Sequence, residues 1–102
     1  MKIKKYIKKP IPVEMVLVDS DNALDIAEWC GGVVWNYEAD SGCYISLPTR
    51  EGTLRAYVGD FIAKGIEGEF YPIGKEIHEK TYISEEEFLK LNAPVMVLGE
   101  EK

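Results

Sequence analysis

The chain has 102 residues, 46% hydrophobic and 11% aromatic, with 12 basic and 18 acidic residues and a formal net charge of −6. That length holds one domain, residues 1–102, with a single core, and the composition excludes a disordered chain. No apolar run approaches the ~20 residues of a membrane helix, and the basic start does not lead into the roughly 7–15 apolar residues of a signal peptide, so a soluble, cytoplasmic protein is expected.

Ile3, Lys5 and Ile7 alternate with Lys4, Tyr6 and Lys8, and the segment reads as a strand. Lysines at alternate positions suit an edge strand, where they discourage sheet-to-sheet aggregation; an anion-binding or self-association strip is the other reading. The first twelve residues carry five lysines and no acid, so the other ninety hold seven bases against eighteen acids, a balance of −11. Such a body repels a phosphate backbone, which argues against direct nucleic-acid binding and favours either plain solubility or a basic partner.

Pro10 and Pro12 mark a bend, and the β-branched run at 13–18 reads as a central strand. Ser20 or Asp21 is placed to cap a short helix over 22–30, with Ala23, Ile26, Ala27 and Cys30 on one face and Gly31-Gly32 as its end. Strands at 33–37, 43–47 and 54–58 follow, separated by turn-rich segments at 38–42 and 48–53. Pairing Leu47 with Leu54 sets Ile45 against Ala56 and Cys43 against Val58. Pairing Tyr37 with Cys43 then sets Trp35 beside Ile45 and Val33 beside Leu47. One face becomes apolar, and the other collects Asn36, Tyr44 and Tyr57 in one row and Val34, Ser46 and Arg55 in the next.

Residues 61–64 and 69–72 read as a hairpin eased by Gly65 and Gly68. A turn of helix at 75–80 and a short segment at 81–83 come next. Ser84 with Glu87 forms a capping box for a helix through Leu91; Pro94 follows, and 95–98 is apolar enough for a strand. The architecture expected is α+β: a mainly antiparallel, strongly bent sheet of five to seven strands with two short helices.

The two cysteines, Cys30 and Cys43, are too few for a disulfide framework and lack metal spacing. They read as reduced, packed small hydrophobes, with a disulfide between helix end and strand start as the alternative. His78, the only histidine, sits among Glu76, Glu79 and Lys80 as on a solvated helix face. Asp60 reads as a turn-amide acceptor, and Glu69 is its candidate partner across the hairpin. With no P-loop, nucleophile elbow or dinucleotide fingerprint, no catalytic residue, metal site or cofactor is expected. The candidate ligand site is Tyr44, Arg55, Tyr57, Asn36 and Ser46, with Arg50 on a loop at its rim. Rings stack on planar ligands, an arginine fork matches phosphate, and short polar groups fix orientation. The competing reading has another element of the same chain packed over that face.

The run Val58-Gly59-Asp60-Phe61-Ile62, then Gly65, then Gly68-Glu69-Phe70-Tyr71-Pro72, closing on Thr81-Tyr82, resembles the PGDYG pattern of small phage and prophage proteins. Lys8-Lys9-Pro10 with Val13-Glu14, and Trp29-Cys30-Gly31-Gly32, extend the resemblance. Val58 stands where a proline is common and His78 where a phenylalanine is. The pattern specifies turns and packing, and the resemblance implies phage origin and action in the host cytoplasm. The function expected is a non-enzymatic accessory protein of counter-defence that binds or sequesters a host component, in its sharpest form a homo-oligomeric sponge for a nucleotide-derived immune signal. The alternatives are an acidic protein–protein inhibitor or nucleic-acid mimic, and a small nucleotide-acting enzyme using Asp60, Glu69 or His78.

Overall fold

Where short turns bring alternating segments together, they pair. A computed structural model describes residues 1–36 and 43–100. In chain order the elements are β1 (Glu14–Leu17), α1 (Ala23–Cys30), β2 (Val33–Asn36), β3 (Cys43–Thr49), β4 (Gly52–Tyr57), β5 (Phe61–Lys64), β6 (Phe70–Ile73), α2 (Lys75–Thr81) and α3 (Glu85–Glu100). The class is α+β, but the described strands form two antiparallel three-stranded sheets, β1-β5-β6 and β2-β3-β4, in place of one bent sheet. The division falls at Gly59-Asp60. Gly59 takes a φ of 100°, its N–H donates to the Val18 carbonyl, and the Val18 N–H donates to the Asp60 carbonyl. These bonds carry the chain from β4 onto β1, so β1 lies at a sheet edge and not at a sheet centre.

The core joins the end of β1 and α1 to the inner faces of both sheets: Val18, Ala23, Ile26, Ala27, Cys30, Cys43, Ile45, Leu47, Ala56 and Ile62. Ile45, Leu47 and Ile62 are fully buried, each stabilising the fold by roughly 1.5–3 kcal/mol. Both thiols are free and buried, and burial pushes that of Cys30 upward. The buried face of α1 is the expected one, and Gly31 ends it at φ 74° with its N–H on the Ala27 carbonyl. The opposite end differs. Asn22 precedes the helix, and Asp19 Oδ1 accepts the N–H groups of Asp21 and Asn22, so neither Ser20 nor Asp21 acts as the cap.

Leu47 faces Leu54 and Ile45 faces Ala56 as alternation requires. β2 is displaced by one residue: Val34 faces Ile45, Trp35 faces Tyr44 and Asn36 faces Cys43. The cause is Gly32. A Cβ there would lie 2.7 Å from the Ser46 carbonyl oxygen and 2.7 Å from Ile45 Cγ2. The chain leaves α1 pressed against the backbone of β3, which sets Val33 opposite Ser46. Tyr37 and the turn at 38–42 lie outside the described residues.

Three more expectations are corrected. Residues 1–12 form no strand and are exposed; none of the described strands pairs with them. The last helix begins as foreseen, the Glu87 N–H donating to Ser84 Oγ at 3.0 Å, but it runs on through Pro94 to Glu100. A helix satisfies its own backbone, whereas a strand at 95–98 would need a partner edge. His78 is half-buried, not on a solvated face: its ring stacks on Phe61 with centroids 3.7 Å apart.

Candidate functional site

Alternation along β3 sends Cys43, Ile45 and Leu47 into the core, so Tyr44 and Ser46 emerge on the opposite face. The tight hairpin Thr49-Arg50-Glu51-Gly52, held by Thr49 Oγ1 donating to the Gly52 carbonyl at 2.7 Å, aligns Tyr57 with Tyr44 and Arg55 with Ser46. The tyrosine rings lie 5.4 Å apart at 47°. The Arg55 guanidinium carbon stands 4.6 Å over the Tyr44 ring, and Nη1 donates to Tyr57 Oη at 3.4 Å. A cation over a ring at an exposed site is worth roughly 0.5–1 kcal/mol, enough to bias one rotamer of a long side chain.

The displaced strand changes the membership of this face. Trp35, not Asn36, stands beside Tyr44, and Trp35 Nε1 donates to Ser46 Oγ at 3.2 Å. Trp35 is 52% and Tyr57 37% exposed, so neither ring is buried under another part of the chain. Asn36 belongs to the alternation that faces Cys43 and leaves the site. Arg50 leaves it as well: at the hairpin tip it lines a separate recess of about 700 Å³ with Thr49, Glu67, Glu69 and Tyr71. Among the described residues the face therefore carries Val33, Trp35, Tyr44, Ser46, Arg55 and Tyr57. Nothing in single-strand alternation announced Trp35, because the decisive contact is made by Gly32.

The Gly-Asp-aromatic motif assembles elsewhere. Asp60 Oδ2 accepts the Tyr57 N–H at 2.8 Å, the turn role read from sequence. Glu69 Oε1 accepts the Glu67 N–H at 3.1 Å, and its carboxylate occupies the space a Cβ on Gly65 would take. Gly65 donates to the Glu69 carbonyl, so Glu69 sits opposite Gly65, about 17 Å along the strand from Asp60. The two acids form no pair. At the Asp60 end of β5, His78 stacks between Phe61 and Tyr82, the second centroid distance being 5.7 Å. Lys8 Nζ lies 5.9 Å from the Tyr82 ring centroid. Tyr71 is pushed up to about 12 by burial, by its hydrogen bond with Tyr82 and by the charges of Tyr82 and Glu69.

No family model, curated protein or solved structure matches this chain. Among the described residues no cluster of three His, Cys, Asp or Glu side chains is placed to hold a metal, and no helix is long and apolar enough to cross a membrane. The motif aromatics Tyr71 and Tyr82 line a groove of about 740 Å³ with Lys8, Lys9, Glu69 and Phe88. Sequence reading treated them as packing, and the Glu69-x-Tyr71-Pro72 and Thr81-Tyr82 signals were the available pointers to this groove.

Proposed function

We propose that this protein binds, without turning over, a planar anionic ligand of the nucleotide class on the outer face of β2-β3-β4. Its biological setting in this reading is a phage accessory protein of counter-defence that sequesters a nucleotide-derived signal in the host cytoplasm. The observation that carries the reading is the guanidinium of Arg55 stacked 4.6 Å over Tyr44 and bonded to Tyr57. Such a stack holds a phosphate-matching fork next to two rings, with the Trp35–Ser46 pair one step along the same face. Bases stack on rings irrespective of sequence, and the fork supplies the anionic contact.

Thermal unfolding in the presence of mono-, di- and cyclic nucleotides tests it. A ligand at a hundred times its Kd stabilises by about 2.7 kcal/mol, and Arg55→Ala should erase that shift while leaving the unliganded protein folded. A shift that survives in Arg55→Ala places the ligand elsewhere. The balance of −11 over residues 13–102 favours a second reading, an acidic inhibitor seated in a basic groove of a host defence protein. In that case no nucleotide moves the melting point, and affinity for the basic protein falls steeply with salt.

A further inference from the structure

Residues 1–12 stand out in both charge and exposure. They carry five lysines and no acid, whereas the remaining ninety residues hold seven bases against eighteen acids. Ile3, Tyr6 and Ile7 are 81%, 85% and 94% exposed; in an extended backbone Ile3 and Ile7 share one face, and Lys2 and Lys4 the other.

The same molecule offers an acceptor. Among the described strands β1 pairs only with β5, so one side of β1 is an edge. Glu14 stands exposed at its start, and Asp19 and Asp21 are exposed just beyond its end. The chain's own arm does not fold back onto that edge. Pro10 and Pro12 stand between the arm and β1 and provide no ladder donors. Residues 8–13 instead line the groove beside Tyr71 and Tyr82, which directs residues 1–7 away from the body.

We propose that the arm is an exchanged strand: residues 2–7 of one copy add to the β1 edge of a second copy, which returns the contact. Main-chain hydrogen bonds supply the affinity of such strand addition. Lysines meeting Glu14 and Asp21 set its direction, and Ile3 with Ile7 is withdrawn from water. Reciprocal exchange is self-complementary and closes at two copies. This inference does not depend on the ligand reading, since it uses neither Arg55 nor the tyrosines.

Native mass spectrometry and light scattering of the full chain test it. The expected species is a dimer whose dissociation constant rises with salt as the Debye length shortens. Ile3→Glu with Ile7→Glu should weaken dimerisation by a factor of at least about ten per side chain, with an unchanged circular dichroism spectrum and melting of the isolated subunit. Lys2→Glu with Lys4→Glu should do the same, and adding Glu14→Lys with Asp21→Lys should restore the dimer. A wild-type monomer overturns the proposal, as does a dimer that survives Ile3→Glu with Ile7→Glu. Failure of the second charge pair to restore a dimer broken by the first overturns β1 as the acceptor.

Discussion

Gly32→Ala perturbs the structure at one atom and should be felt across a sheet. The new methyl would meet the Ser46 carbonyl oxygen and Ile45 Cγ2, each at 2.7 Å, and Cys30 Sγ at 3.3 Å. The first is backbone of the central strand β3 and the second belongs to a fully buried side chain, so neither yields freely. Overpacking of this kind costs typically 1–3 kcal/mol. About 2 kcal/mol lowers the melting point of a domain this size by about 10 °C. Because the same contact sets Val33 opposite Ser46, the alanine should also disturb the Trp35–Ser46 hydrogen bond and shift tryptophan emission. Gly31→Ala is the control. It adds a methyl with nothing within 4 Å and carries only the strain of a left-handed φ, roughly 1 kcal/mol. Chemical denaturation with tryptophan and far-ultraviolet readouts measures both variants. If Gly32→Ala proves as stable as wild type, or less damaging than Gly31→Ala, the packing account of the β2 register is wrong.

Three further outcomes are expected. The three atoms nearest a methyl in Gly65→Ala all belong to the flexible end of Glu69, so the carboxylate swings out, the Glu67 N–H loses its acceptor, and the cost stays near 1 kcal/mol by urea titration, below that of Gly32→Ala. Asp60→Ala removes the acceptor of the Tyr57 N–H at the junction of the two sheets and should cost about 1–2 kcal/mol; a neutral effect would show that this bond does not hold the junction. For Tyr71, the folded chain keeps the phenol neutral toward about 12 while the unfolded chain ionises near 10.0. The stabilisation from this group is therefore complete below pH 10.0 and lost as pH rises toward about 12. Tyr71→Phe should flatten the stability profile across that window, and parallel wild-type and variant profiles would contradict it.

Several features were legible in the sequence because they depend on near neighbours. The buried stripe of α1, its glycine stop, the Ser84 cap, the β3–β4 register and the Gly59-Asp60 turn all follow from spacing within a few residues, where sterics and short-loop closure leave few choices. The face bearing Tyr44, Ser46, Arg55 and Tyr57 was recoverable for the same reason: one tight hairpin fixes which residues of two adjacent strands stand opposite each other. Trp35 and Asn36 exchanged places because the register of β2 is decided by Gly32 against a strand more than ten residues away. Helix α3 passed through Pro94 because a helix satisfies its own backbone, whereas a strand at 95–98 would have to reach a distant edge.

Local spacing by itself determined where the elements lie and which side chains of the hairpin share a face. Only tertiary structure decided how many sheets the strands make, on which side β2 presents its indole, and that the basic arm joins neither of the two described sheets. The physical reason is range. Turn sterics and side-chain periodicity act over a handful of bonds, whereas register across a long connection and the pairing of a sheet edge depend on atoms that meet only after the chain has closed on itself.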